Sequence, residues 1–397
     1  MKRVLIFSTT YFPLVGGAEI AMKEVTDRLP HWQFDLICAR MQPELSSREK
    51  IGNVTVHRVG IGRPIDKYLL PILGARKAVW LEQRPTRPQH LSAAMAGAAS
   101  DSRRTIVWSL MASYGGFTAL VYTWLRPKTK LLLTLQEGDP LDHYAKRTGV
   151  FSFLHKAIFK RANAVQAISY FLADWSVKMG FKGKPEVVPN GVDIEKFTMR
   201  ISTEERRRIR QTYGYADHDV VIVTASRLSL KNAVDDMIRS LAFLPENYKL
   251  LIAGIGEDEA MLNALVEEQK VASRVTFVGK KSHDELSALL QASDIFCRPS
   301  LSEGLGNSFL ESMAAGLPII GTPVGGIPDF LIDGETGVLC QPRNPESIAA
   351  AVQRIQHEPE LRDRLIRNGE ALVREKYGWD CIAYKIGSLL ERLGSHV

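Results

Sequence analysis

Ser302-Glu303-Gly304-Leu305-Gly306-Asn307-Ser308-Phe309-Leu310-Glu311 places two carboxylates eight positions apart, with two glycines and an Asn-Ser pair between them. The apolar run 294–298 before it reads as a buried strand. Residues 308–315 read as a helix stopped by Gly316 and Pro318. Glu303 is therefore expected on a loop leaving a strand, and Glu311 about one turn inside the next helix. The glycines let backbone N–H groups approach a ligand, and the helix N-terminus offers partial positive charge to an anion. A phosphate on those amides, with hydroxyls on the two carboxylates, describes a nucleotide-sugar.

Working outward, the same architecture repeats along the chain. Short apolar runs at 4–7, 34–38, 54–59, 106–108, 131–135, 164–168 and 186–188 alternate with helical patterns such as 18–29 and 170–179. Turn chemistry at Pro189-Asn190-Gly191 interrupts the series. A second series follows, with strands expected at 220–225, 249–253, 275–278, 294–298 and 319–321. Such βαβ alternation predicts an α/β chain with parallel sheets covered by helices on both faces. Two Rossmann-like, doubly wound domains are expected, each with ligand sites at the carboxyl ends of its strands. The expected boundaries are 1–192 with a crossover helix at 379–397, and 193–378. Residues 62–88, which carry four prolines, read as an irregular surface loop.

Composition sets limits on function. Hydrophobic residues at 45% and charged residues at 24% are those of a globular protein. A net charge of +7 suits anionic ligands or an anionic membrane surface; no nucleic-acid recognition motif is present, so no nucleic-acid partner is expected. The four cysteines are dispersed and form no CxxC pair, and the histidines form no HxxxH or HExxH pattern, so no metal site is indicated. The apolar run after Met1-Lys2-Arg3 is too short for a signal core and reads as a first strand of a cytoplasmic protein. Residues 105–125 carry no charge and are long enough to span a bilayer. Ser113-Tyr114-Gly115-Gly116 in their middle favours a strand–turn–helix unit instead.

The 302–311 stretch closely resembles the donor motif of the family 4 retaining glycosyltransferases, which have the GT-B fold of two Rossmann-like domains facing a cleft. Four further stretches carry the same resemblance. Gly16-Gly17-Ala18-Glu19 resembles the family's Gly-Gly-Ala-Glu signature near the donor diphosphate, and is not a GxGxxG dinucleotide fingerprint. Arg227 and Lys231 resemble its Arg…Lys pair, which neutralises the diphosphate leaving group. Gly254 opens a Gly-x-Gly turn, and Val278-Gly279 matches the strand that flanks the base. One departure stands out: Gln136 occupies the place of a usual His and cannot shuttle a proton. Glu137 and Asp139 beside it read either as acceptor contacts or as solvated loop acids.

The resemblance implies a retaining, hexosyltransferase-type glycosyltransferase that uses a UDP- or GDP-sugar and a hydroxyl acceptor in cell-surface glycan or lipid-linked oligosaccharide synthesis. Glu303 would hold the reacting sugar, with Arg227 and Lys231 on the diphosphate. Gly16, Gly17, Gln136, Gly254, Val278, Gly306, Asn307, Ser308 and Glu311 would complete the donor site. Neither cofactor nor metal is expected where two side-chain cations offset the diphosphate. A nucleotide-sugar epimerase of related fold and a catalytically silent nucleotide-sugar-binding protein are the alternatives. Residues 143–161 hold five Lys or Arg, no acid and interleaved Phe151, Leu154 and Ile158. They either dock on the inner face of the membrane as a peripheral contact or pack their apolar stripe on the domain's own sheet.

Overall fold

In the computed structural model, residues 2–83, 105–139 and 152–395 are described, and the chain divides into two units. The first comprises Met1–Glu137, Asp142–Val188 and Asp380–Val397. Its sheet has the order β3-β4-β2-β1-β5-β6-β7-β8. The strands are β1 Lys2–Phe7, β2 Trp32–Ala39, β3 Arg48–Ile51, β4 Val54–Val59, β5 Ile106–Leu110, β6 Lys130–Leu135, β7 Ala164–Ala167 and β8 Glu186–Val187. All neighbours pair in parallel except β3 with β4, which a tight Gly52-Asn53 turn makes antiparallel. Gly52 has φ +56°, and a Cβ there would lie 2.1 Å from Asp27 Oδ1. Val4, Leu5, Ile6 and Phe7 are fully buried. That explains why the central strands carry apolar runs such as 4–7: helices cover both faces.

Those helices are α1 Gly17–Asp27, α2 Asp66–Gln83, α3 Tyr114–Leu125, α4 Ser152–Arg161 and α5 Tyr170–Lys178. Helix α2 corrects the expectation of an irregular loop at 62–88, whose last residues, 84–88, lie outside the described ones. Leu70, Gly74, Ala78 and Leu81 recur at helical spacing and are all buried. Gly74 permits close approach to α3, since a Cβ there would lie 2.7 Å from Thr118 Cγ2. Pro71 removes one intrahelical hydrogen bond, and packing on β2 and α3 offsets the loss. Residues 105–125 form β5 and then α3, and among the described residues no helix is long and apolar enough to cross a membrane.

The second unit comprises Gly138–Leu141 and Pro189–Trp379. Its sheet is parallel throughout, in the order β11-β10-β9-β12-β13-β14. The strands are β9 Val220–Ala225, β10 Tyr248–Ala253, β11 Val275–Gly279, β12 Ile295–Arg298, β13 Ile319–Gly321 and β14 Val338–Leu339. Its helices are α6 Ile194–Thr198, α7 Thr203–Thr212, α8 Val234–Ser240, α9 Glu259–Glu268, α10 His283–Ala292, α11 Asn307–Ala314, α12 Pro345–His357 and α13 Pro359–Lys376. Strand order reverses between β9 and β12. The last helix, α14 Trp379–Ser395, belongs to the first unit from Asp380 onward. There Arg28 Nε donates to Asp380 Oδ1 at 2.8 Å, and Arg392 pairs with Glu186 at 2.5 Å.

Residues 143–151 of the basic segment lie outside the described residues, while 152–161 form α4. His155, Ile158 and Phe159 are buried there, and Ile158 Cδ1 lies 3.0 Å from the Cβ position of Gly116 on α3. Lys156 and Lys160 are exposed. Ile158, one member of the apolar stripe, thus packs in the core. Ile158→Ala should lower the unfolding free energy by about 2–5 kcal/mol, whereas the exposed Phe153→Ala should change it by about 0.5 kcal/mol or less. Denaturant unfolding of both variants checks this.

Candidate functional site

The reversal between β9 and β12 opens a crevice beyond the carboxyl ends of two adjacent parallel strands. The loop after β9 carries Arg227 and Lys231; the loop after β12 carries Glu303 and leads into α11. A residue unmarked in the sequence joins them. Arg298, the last residue of β12, is 9% exposed and forms an ion pair with Glu303 through Nη2. The same Nη2 donates to Asn232 Oδ1 at 2.9 Å, and Nη1 donates to Ser308 Oγ at 3.1 Å. Buried Asn232 in turn donates through Nδ2 to the Arg227 carbonyl at 2.6 Å. The Leu301 amide donates to the Lys231 carbonyl, also at 2.6 Å. One signal could have revealed Arg298: an arginine ending an apolar strand run must bury its charge against a partner.

The backbone around Glu303 is equally constrained. Its Oε1 accepts from the Gly304 amide at 3.0 Å, and its carbonyl accepts from Gly326 N at 3.1 Å. Gly325 has φ +56°, and a Cβ there would lie 1.9 Å from the Glu303 carbonyl oxygen. Gly306 caps α11 at φ +92°, where a Cβ would lie 2.7 Å from Phe309 Cδ2. Only glycine fits these two positions without strain. Asn307 opens α11, and its Oδ1 accepts from Asn190 Nδ2 at 3.3 Å. Glu311 lies one turn in, with its side chain 14% exposed and its Oε1 3.8 Å from His283 Nε2. Burial pushes its carboxyl up to about 7, against a downward pull from Arg298.

The two cations differ. Lys231 Nζ donates to the Gly138 carbonyl at 3.1 Å and to Asp139 Oδ1 at 2.8 Å. A Cβ on Gly138 would lie 3.4 Å from Lys231 Nζ and 3.5 Å from Glu303 Oε1, so ammonium and carboxylate converge on one point. Arg227 is largely exposed and pairs with Glu257, its Nε donating to Oε2 at 3.0 Å. The Glu257 carboxyl is held below its ordinary value by its own backbone hydrogen bond, with the charges of Arg227 and Lys231 adding to that. Gly254 and Gly256 pack against the Arg227 loop itself: Cβ atoms there would lie 1.8 Å from the Ser226 carbonyl oxygen and 2.0 Å from that of Leu228. Val278 sits half-buried on edge strand β11. Gly279 beside it, at φ +68°, has open space at its Cβ position.

Gly16, Gly17 and Gln136 belong to the first unit. Gly16 caps α1 just after β1, where that sheet reverses toward β5, and its amide donates to Glu19 Oε2 at 2.8 Å. Gln136 follows β6 and donates its amide to Glu137 Oε2 at 2.8 Å. Glu137 is neither a solvated acid nor an open contact; it is 1% exposed and its Oε1 accepts from the Ala112 amide. Asp139 is the partner of Lys231. Among the described residues no group of three or more His, Cys, Asp or Glu side chains is placed to hold a metal ion.

Comparison with known proteins agrees with the fold. Residues 15–196 match the sequence family described as Glycosyltransferase Family 4, and residues 205–372 match Glycosyl transferases group 1. An uncharacterized glycosyltransferase of Methanocaldococcus jannaschii is 33% identical over 202 residues, covering 50% of this chain and 52% of that protein. The matched stretch thus spans about half the length of that relative. A second uncharacterized glycosyltransferase of the same organism is 24% identical over 98% of both chains. The crystal structure of Anabaena HepE in complex with UDP and glucose superposes with a TM-score of 0.79 at 16% identity, covering 99% of this chain and 100% of that one.

The buried Glu311 generates a pH dependence. Below its ordinary value of 4.5 the group is protonated in both folded and unfolded chains and contributes nothing. As pH rises from there through about 7, the unfolded chain releases its proton while the folded chain retains one, so stability falls. Glu311→Gln should remove that penalty, gaining about 2–3 kcal/mol at about pH 8 and little at about pH 5. Guanidinium unfolding at the two pH values measures it; an equal shift at both would assign the effect to packing.

Proposed function

We propose the following activity for this chain, which belongs to the family 4 glycosyltransferases and has the GT-B fold: transfer of a sugar from a nucleotide-diphosphate-sugar to a hydroxyl acceptor with retention of anomeric configuration. The observation that supports the reading is the convergence of Glu303, Lys231 and the α11 N-terminus at the strand reversal. A donor presents a diphosphate and a polyhydroxylated ring together. The diphosphate meets the first amides of α11 and the ammonium of Lys231, where partial and full positive charge add. Arg227 swings from Glu257 to the outer phosphate. Glu303 accepts hydrogen bonds from hydroxyls of the transferred sugar, and Glu311 from the ribose diol.

Charge develops on the diphosphate as the glycosidic bond breaks, so fixed donors at that end stabilise the transition state more than the ground state. The acceptor hydroxyl attacks from the face the diphosphate leaves, and the departing phosphate oxygen takes its proton. This route calls for neither an enzyme nucleophile nor a metal. HepE binds UDP and glucose, which supports a UDP-sugar as the first donor to test, with GDP-sugars as the second arm. A hexosyl group passed to a glycan or lipid-linked acceptor on the inner face of the membrane, in cell-surface glycan synthesis, fits the basic charge balance.

The test is nucleotide release from UDP- and GDP-sugars, with and without glycan and lipid-linked acceptors, with the product anomer read by NMR. Release should require acceptor, and Glu303→Ala should lower kcat by roughly 100-fold or more. Lys231→Ala should weaken nucleoside diphosphate binding by about 1.5–3 kcal/mol in calorimetry. Full activity of Glu303→Ala, or an epimerised donor formed without acceptor, overturns the assignment.

A further inference from the structure

Helix α2 has two apolar faces. One is buried on β2 and α3. The other begins in the loop before the helix and faces solvent: Ile61 is 64% exposed, Ile65 54%, Tyr68 60%, Leu69 42% and Ile72 63%. Ile65, Tyr68, Leu69 and Ile72 recur at the three- and four-residue spacing of one helical face, opposite buried Leu70, Gly74, Ala78 and Leu81. Arg76 continues the exposed row one turn further. An uninterrupted row of large apolar side chains in solvent marks an interaction surface.

The charges around it identify the partner. Arg63, Lys67, Arg76 and Lys77 lie along the same stretch, with Lys67 Nζ 5.1 Å above the Tyr68 ring and Lys77 Nζ 3.9 Å above that of Trp80. The only acid between Ile61 and Trp80 is Asp66. It is fully buried, and its Oδ2 accepts from the amides of Gly62 and Arg63 at 2.7 and 3.2 Å. Within residues 61–80 the exposed face is therefore apolar and positive, with no exposed carboxylate of its own. A second copy of this face would set cations against cations. A lipid surface with anionic headgroups takes both features at once: acyl chains receive the isoleucines and leucine, an aromatic ring sits at headgroup depth, and the cations meet phosphate.

We infer that α2 and the loop before it dock the first unit on an anionic bilayer surface. The docking site thus lies on α2 and not on α4, where Ile158 and Phe159 are spent on the core. The inference deepens the proposed function only by favouring a lipid-linked acceptor. Vesicle binding is read without turnover, so failure of either leaves the other standing.

Cosedimentation with phosphatidylglycerol-containing and pure phosphatidylcholine vesicles, at low and high salt, tests it on the full chain. The parent should bind the anionic vesicles several-fold better, and salt should weaken that binding. The triple variant Ile65→Ser, Leu69→Ser, Ile72→Ser and the pair Arg63→Glu, Arg76→Glu should each lose at least about fivefold of it, with unchanged thermal unfolding because the replaced side chains are exposed. Lys156→Glu with Lys160→Glu on α4 should bind as the parent does. Equal binding to both vesicle types, parent-like binding by the α2 variants, or loss confined to the α4 variant overturns the inference. So does a concentration-dependent dimer that the triple variant abolishes, which would make the face a self-interface.

Discussion

A buried guanidinium and the largely enclosed carboxylate beside it impose the strictest condition on the second unit. Arg298 and Glu303 cannot be buried singly, because an uncompensated charge in a dry interior costs several kcal/mol. Together they are tolerated only when their remaining hydrogen-bonding capacity is met. Asn232 from the β9 loop, Ser308 from α11 and the Gly304 amide meet most of it, leaving the buried Arg298 Nε without a partner. One ion pair thus ties together the two loops and the helix that border the strand reversal. The site's geometry follows from that constraint: Arg298 holds one oxygen of the Glu303 carboxylate and the Gly304 amide the other, and the second oxygen lies on the same side of Gly138 as the Lys231 ammonium.

The glycines act through the same constraint. Gly306 and Gly325 hold the main chain on either side of Glu303 in conformations that a side chain would strain, and Gly325 lets that main chain approach within contact. Gly254 and Gly256 do the corresponding job beneath Arg227. A Gly-x-Gly after a strand reads as a phosphate cradle, yet here the nearest atoms to both missing side chains are backbone carbonyls of the adjacent loop. The glycines are required by packing, and any ligand contact they make is additional to that.

Much of this was legible in the sequence for a simple reason: strands buried on both faces carry runs of consecutive apolar residues, so β1, β2, β6, β9 and β10 announce themselves. The short edge strands β3 and β14 do not, because one side of each is wet and two to four residues carry no period. Helix α2 was hidden by Pro71 and by apolar residues on both of its faces, which erase the amphipathic signal. The placement of Lys231 and Glu303 on loops after strands, and of Glu311 one turn into a helix, was legible from the strand and helix pattern. The partners of Arg298 were not, because they lie 66 positions before it and 10 after it. Glu137 was misread for a related reason: nothing in a Gln-Glu-Gly-Asp run reveals that the Glu turns inward onto the Ala112 amide.

The most direct measurement is a double-mutant cycle on the buried pair. Arg298→Met, Glu303→Gln and the combined variant would be compared by denaturant unfolding at neutral pH. If Arg298 pins Glu303, Arg298→Met costs about 3–5 kcal/mol, and adding Glu303→Gln restores part of it, with a coupling energy above about 1 kcal/mol. Losses that add to within about 0.5 kcal/mol would mean that the two side chains are held independently, and the site would have to be organised by its backbone alone.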